Sequence, residues 1–149
     1  MLDFFRRGER ATDRQCARIG QPGWVRLRPV DLVWNRAAME AGGEQARRGD
    51  KALAALLRCH GEVMSGGMYF AIRDALSPGE VAAGVEGFRR FGLITAADVF
   101  QQAITASDDD LEALEEMYAT AVPTDQVLVD AFEALYSAEP DDFAPLPSA

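Results

Sequence analysis

His60 is the sole histidine of the chain, Cys59 precedes it, and three consecutive aspartates open the run Asp108-Asp109-Asp110-Leu111-Glu112. Nucleophilic catalysis and cation binding are the chemistries that these residue types could serve. A cysteine nucleophile needs its base on the same side of the element, yet successive residues of a helix point ~100° apart. A single histidine on an apolar helical face is the pattern of a packed, hydrogen-bonded core residue. Counted from Asp108, the sixth position is Ala113, where a calcium loop needs glycine, and the twelfth is Ala119, where it needs glutamate. Cys16 and Cys59 lack the paired spacing of a zinc site and the density of a disulfide scaffold, so both are expected to be reduced. No phosphate-cradling glycine loop, zinc-protease helix or serine elbow occurs, and the pair Gly66-Gly67 matches none of them. The expectation is a protein that is not an enzyme and takes no cofactor or metal. An enzyme would have to be built on His60 and Glu62 in a concave pocket.

Charge is the more informative signal. The 24 acidic and 15 basic residues leave a net charge of -9, and the excess is regional. Residues 1–50 carry ten Lys/Arg and seven Asp/Glu, residues 51–100 five and five, and residues 101–149 none and twelve. Within that last third, Asp109, Glu112 and Glu116 recur at spacings of three and four, which places them on one side of a helix, away from Leu111, Leu114 and Tyr118. Asp108, Asp110 and Glu115 add to the same helix, and Asp130 and Glu133 lie opposite Leu128 and Phe132 on the next. A surface with no compensating cation steers basic partners toward it and repels nucleic acid and anionic membrane. These eight acids are therefore the candidate partner-binding residues, and a basic protein, DNA-binding proteins included, is the partner they fit. The competing explanation is that the acidity serves solubility alone.

The elements that must carry these residues read as helices. Asp31 can cap a helix through about Ala41, ended by Gly42-Gly43. Asp50 can cap the next, with Leu53, Leu56, Leu57, His60, Val63 and Met64 at helical spacing, until Ser65-Gly66-Gly67 breaks it. Ser77-Pro78-Gly79-Glu80 reads as a capping box that starts a helix, and Gly92 stops it. Thr95 with Asp98 repeats the box before Val99 and Phe100. Asp109 or Asp110 caps the acidic helix, and Thr124 caps a last one bearing Leu128, Phe132, Leu135 and Tyr136. Few stretches alternate with period two, the best being Trp24 to Arg28, so any sheet would be small.

The expected architecture is all-α, a single compact domain over residues 1–149 with six to eight helices in non-parallel packing. Residues 1–30 read as an irregular segment with a short helix around 11–19, residues 31–139 as the helical core and residues 140–149 as an irregular tail. Trp24 and Trp34 are expected in the core. With 48% hydrophobic and 26% charged residues the composition is that of an ordinary folded protein, with no signal peptide or bilayer-spanning run, which points to the cytoplasm.

One set of motifs carries a resemblance. Glu62-Val63-Met64-Ser65-Gly66-Gly67-Met68-Tyr69-Phe70, the run ending Phe88-Arg89-Arg90-Phe91-Gly92, the helix over 96–106, Leu114-Glu115-Glu116-Met117-Tyr118 and Glu139-Pro140-Asp141-Asp142-Phe143 follow one another in order. Together, over roughly residues 50–143, they resemble the DNA-mimic-protein family of small acidic bacterial helical proteins. Ser65 stands where that pattern has Asn, and Met68-Tyr69 where it has an aromatic and then Gln. In that comparison Glu62, Gly66, Gly67 and Gly92 belong to the structural motif. The resemblance implies an all-helical fold, room for a homodimer, and, in the family's characterised example, occupation of a transcription regulator's DNA site. A DNA-mimic-like regulator binding a basic protein is thus the leading expectation. The alternative is a general protein-interaction or immunity-type protein without mimicry.

Overall fold

The computed structural model describes residues 27–148. The short helix expected around residues 11–19, Cys16 and Trp24 lie outside them. Six α-helices make up the described chain, with no strand among the described residues. They are α1 (Pro29–Glu40), α2 (Arg48–Phe70), α3 (Pro78–Arg90), α4 (Ile94–Ala103), α5 (Asp108–Ala121) and α6 (Gln126–Ala138). A π turn, Ala71–Ala75, extends α2, and a 3-10 turn, Pro140–Asp142, follows α6.

Helix starts reflect local chemistry, sometimes one turn away from where the sequence suggests. At α3 the expected box forms: the Glu80 N–H donates to Ser77 Oγ at 3.1 Å, and the Ser77 N–H to Glu80 Oε1 at 3.0 Å. At α1 and α2 the aspartates expected as caps lie inside the first turn instead. Asp31 accepts the Arg28 N–H at 2.9 Å, and Asp50 accepts the Arg47 N–H at 2.9 Å. A carboxylate there meets the positive end of the helix dipole, which is why aspartate marks both starts without being the cap residue. Helix α4 begins at Ile94 behind Leu93 with no side-chain cap, so the Thr95–Asp98 box does not form. Ser107, not Asp109 or Asp110, caps α5, and Asp125, not Thr124, precedes α6.

Helix α2 is the axis of the packing. Its Leu53, Leu56, Cys59, His60 and Val63 are buried. Helix α3 crosses it closely: a Cβ on Gly84 would lie 2.3 Å from Cys59 Sγ, and one on Gly87 2.4 Å from the Ala52 carbonyl oxygen. Only hydrogen fits in either place, so the backbones approach more closely than side chains permit. Two aromatic groups fill the core. Phe88 stacks on Phe100 at 5.4 Å, with Tyr118 set edge-on to both, joining α3, α4 and α5. Phe132 packs against Trp34, Phe91, Tyr136 and Phe143, joining α6 to α1, the end of α3 and the chain's last turn. Trp34 therefore sits against the core, as expected.

The residues after Pro140 complete the interior. Phe143 is 2% exposed, and its neighbour Ala144 donates its N–H to Asp50 Oδ2 at 2.7 Å. Asp50, fully buried, also receives the Arg36 guanidinium at 2.8 Å. Arg90 pairs with Glu139 and, at 3.0 Å, with Asp142. One carboxylate and one guanidinium thus fasten the residues after Pro140 to the start of α2, to the second half of α1 and to the end of α3.

Candidate functional site: an acidic helix and the kink beside it

Helix α5 buries Leu111, Leu114 and Tyr118 and turns its acids outward. Ser107 Oγ accepts the Asp110 N–H at 3.3 Å, and the three aspartates of the first turn face the helix's positive end, which lowers the cost of crowding them. Asp109, Asp110, Glu112 and Glu116 are exposed, and none of the four forms an ion pair with a cation among the described residues. The stripe expected from the three-and-four spacing is present.

The wider acidic surface is less free than the sequence implies. Asp108 accepts Arg73 Nε at 2.9 Å, and Glu133 accepts Arg28 at 3.0 Å. With Glu139 and Asp142 on Arg90, four of the twelve acids of the last third are held by arginines from earlier in the chain. The expectation of an acidic third untouched by cations is corrected accordingly. On α6 only Asp130, hydrogen-bonded by Gln126 Nε2 at 2.7 Å, is both exposed and without an ion pair among the described residues. Helices α5 and α6 also engage different aromatic groups of the core.

Glu115 departs most from its expected place. It points not outward but at the break in α2. Gly67 has φ +86° and ψ 175°, a conformation that essentially only glycine adopts, and the helix restarts after it. A new helix start leaves N–H groups without intrahelical acceptors. Glu115 Oε1 accepts one of them, the Met68 N–H, at 2.6 Å. A Cβ on Gly67 would lie 2.4 Å from that same oxygen. Two motifs read separately in the sequence, the glycine pair and Leu114-Glu115-Glu116-Met117-Tyr118, are therefore one structural unit. It sets the direction in which the chain leaves α2, and it presents Met64, Tyr69 and Phe70, 62%, 51% and 37% exposed, on either side of the break.

His60 is 7% exposed, and both ring nitrogens are engaged. Nε2 lies 2.8 Å from Asp125 Oδ1, and Nδ1 lies 2.8 Å from the Tyr118 hydroxyl. In the neutral imidazole, Nε2–H donates to the carboxylate and the phenol donates to Nδ1. Burial pushes the Tyr118 phenol well above its usual range, and burial, with the Glu80 charge second, pushes the Cys59 thiol up to about 12. A thiol so placed is not a thiolate near neutrality. Glu62 is bound by Arg58 at 2.6 Å, and Arg58 also reaches Glu80 at 3.1 Å. Together they border an open groove of about 760 Å³ floored by Ala54 and Ala55.

Among the described residues no group of three or more His, Cys, Asp or Glu could hold a metal ion, and no helix is long and apolar enough to cross a membrane. A family model described as DMP19-like protein matches residues 44–147. Neither a curated protein nor a solved structure matches.

Proposed function

The chain belongs to the DMP19-like protein family, and from that membership we propose that it is a DNA-mimic-like regulator whose α5 carboxylates occupy the phosphate-binding surface of a basic DNA-binding protein. The family is named for a DNA mimic protein. The observation that carries the reading is the outward row on α5: Asp109, Asp110, Glu112 and Glu116, exposed and without an ion pair among the described residues. Asp130 of α6 supplements it. Asp108 and Glu133 contribute less, because arginines already spend part of their charge, and Glu115 contributes by holding the kink. Duplex DNA carries one charge per ~1.7 Å of axis, so a basic groove built for it offers several cations to such a row.

The test uses the full chain as bait in a cell extract, beside the triple variant Asp109→Asn/Glu112→Gln/Glu116→Gln. Exposed charge pairs contribute about 0.2–1 kcal/mol each, so three together should weaken capture of the partner by about 0.6–3 kcal/mol, roughly three- to 150-fold. The captured protein should bind DNA, be released by duplex DNA, and detach as salt rises. A partner that binds the triple variant equally and ignores salt overturns the proposal.

A second reading has its own observation. Met64 and Tyr69 are more than half exposed beside the kink, and Met39 is 83% exposed at the rim of the alanine-floored groove. An interaction protein working through those apolar surfaces would bind its partner with little salt dependence. Tyr69→Ser should then weaken capture, and the triple charge variant should not.

A further inference from the structure

We propose that the groove floored by α2 and walled by α1 and α3 docks an amphipathic helix of a protein partner, with acidic residues of that helix over Arg48 and Lys51. The groove has a volume of about 760 Å³. Its lining on α2 runs from Lys51 through Ala54, Ala55, Arg58 and Glu62 to Ser65, a length of ~21 Å, or about four helical turns. Those positions lie opposite Leu53, Leu56, His60 and Val63, which α2 buries, and His60 reaches Tyr118 of α5. The groove is therefore on the side of α2 turned away from α5.

An open trough of this length fits a helix better than a small molecule. Half-buried Ala54, Ala55 and Leu57 make the floor, with Ala37 and Ala41 of α1 and Ala83 of α3 along the walls. Such short side chains leave room for the apolar ridge of a further helix to enter. The polar groups beside the floor are engaged with one another: Arg58 bonds Glu62 at 2.6 Å and Glu80 at 3.1 Å, which leaves little to grip a small polar ligand. Met39, 83% exposed on the α1 rim, offers an unbranched, polarizable side chain that adapts to the apolar residue laid against it.

Charge selects the occupant. Near the start of α2 the groove continues into a hollow of about 250 Å³, which shares Lys51, Ala55 and Ala83 with it and adds Arg48, Glu86 and Arg90. Arg90 is held by Glu139 and Asp142, and Glu86 by Arg89 at 3.0 Å. Arg48 and Lys51 are exposed and form no ion pair among the described residues. Further along, one guanidinium, Arg58, serves two carboxylates, so no cation is free there. A helix that is acidic at one end meets the two free cations with that end, and a helix that is basic there is repelled. On a chain of net charge -9 this is a surface for the opposite kind of partner to the basic protein assigned to α5, and it does not rest on that assignment.

The experiment is fluorescence anisotropy on the full chain with a labelled peptide of about 16 residues, carrying leucines at helical spacing, glutamates in one end turn and a side-chain staple, since a free peptide of that length is a marginal helix. Its mate has lysine in place of each glutamate. The glutamate peptide should bind, and the lysine peptide should bind more weakly by about fourfold or more, the effect of turning two exposed charge pairs from attraction to repulsion. Arg48→Glu/Lys51→Glu should reverse that preference. Ala83→Trp, which fills the groove from the exposed side of α3, should abolish binding of both peptides while helical circular dichroism is retained. No binding of the glutamate peptide at millimolar concentration, or equal binding of the two peptides, overturns the proposal, and neither result needs a variant to fold. So does a preference that the double reversal leaves unchanged, or binding that survives a folded Ala83→Trp. The triple variant Asp109→Asn/Glu112→Gln/Glu116→Gln should bind the glutamate peptide as the parent does. Failure of the groove therefore leaves the α5 reading standing, because partner capture measures that separately.

Discussion

Alanine in place of Gly67 should destabilise the protein by about 2–6 kcal/mol, although Gly→Ala inside a helix ordinarily stabilises by ~1 kcal/mol. Two costs add. Position 67 has φ +86° and ψ 175°, and holding a residue with a Cβ there costs about 1–3 kcal/mol. The new Cβ would also lie 2.4 Å from Glu115 Oε1, so the carboxylate must move and the Met68 N–H loses its acceptor, a further ~1–3 kcal/mol. Against a total stability of ~5–15 kcal/mol for a domain, the loss is plain in urea unfolding followed by circular dichroism. Gly61→Ala is the control on the same helix. No heavy atom outside the helix backbone lies within 4 Å of its Cβ, so it should gain about 0.5–1 kcal/mol. Glu115→Ala removes the same hydrogen bond from the other side, so the double variant Gly67→Ala/Glu115→Ala should lose less than the sum of the singles by about 1–3 kcal/mol. A Gly67→Ala protein as stable as the parent, or strict additivity in the double variant, would refute the account of the kink.

Three more perturbations test other parts of the structure. Asp50→Ala strips the Arg36 guanidinium, the Arg47 N–H and the Ala144 N–H of their acceptor at once, and should cost about 3–5 kcal/mol in the same unfolding assay. Cys59 has its thiol raised from 9.0 to about 12, so the folded state keeps the proton that the unfolded state releases. Stability should be unaffected below pH 9 and fall by ~1.4 kcal/mol per pH unit above it. Cys59→Ala, compared with the parent at pH 8 and pH 10, should be less stable at the lower pH and lose less between the two. Ser77→Ala should cost ~1 kcal/mol through the lost cap of α3, read as a shift in the urea midpoint with unchanged slope.

What the sequence disclosed is what depends on near neighbours. The box at Ser77 and Glu80, the stop at Gly92, the break at Gly66-Gly67 and the outward row Asp109, Glu112, Glu116 all rest on residues within a few positions of one another. Asp31 and Asp50 were legible as markers of helix starts but not as residues of the first turn, because a carboxylate is favourable at either place. The misjudged acids are those whose partners are remote. Arg28 reaches Glu133 across 105 positions and Arg73 reaches Asp108 across 35, and no spacing rule anticipates such pairs. Glu115 looked like its neighbour Glu116, and only the meeting of α5 with the kink of α2 separates a hydrogen-bonding anchor from a surface charge. Aromatic content after Pro140 was the one hint that this stretch would be buried: Phe143 is its sole aromatic, among aspartates, prolines, Leu146 and small residues.

The buried carboxylate of Asp50 has a consequence for biosynthesis. Arg36 and the Arg47 N–H supply two of its donors from nearby in the chain, and the third, the Ala144 N–H, lies 94 residues downstream. During translation, α1 and the start of α2 can form and pair through Arg36, but the carboxylate at their junction stays uncovered on the Ala144 side until residue 144 has emerged. Ribosome-bound chains arrested before residue 144 emerges should be digested readily by protease, and chains arrested well beyond it should resist.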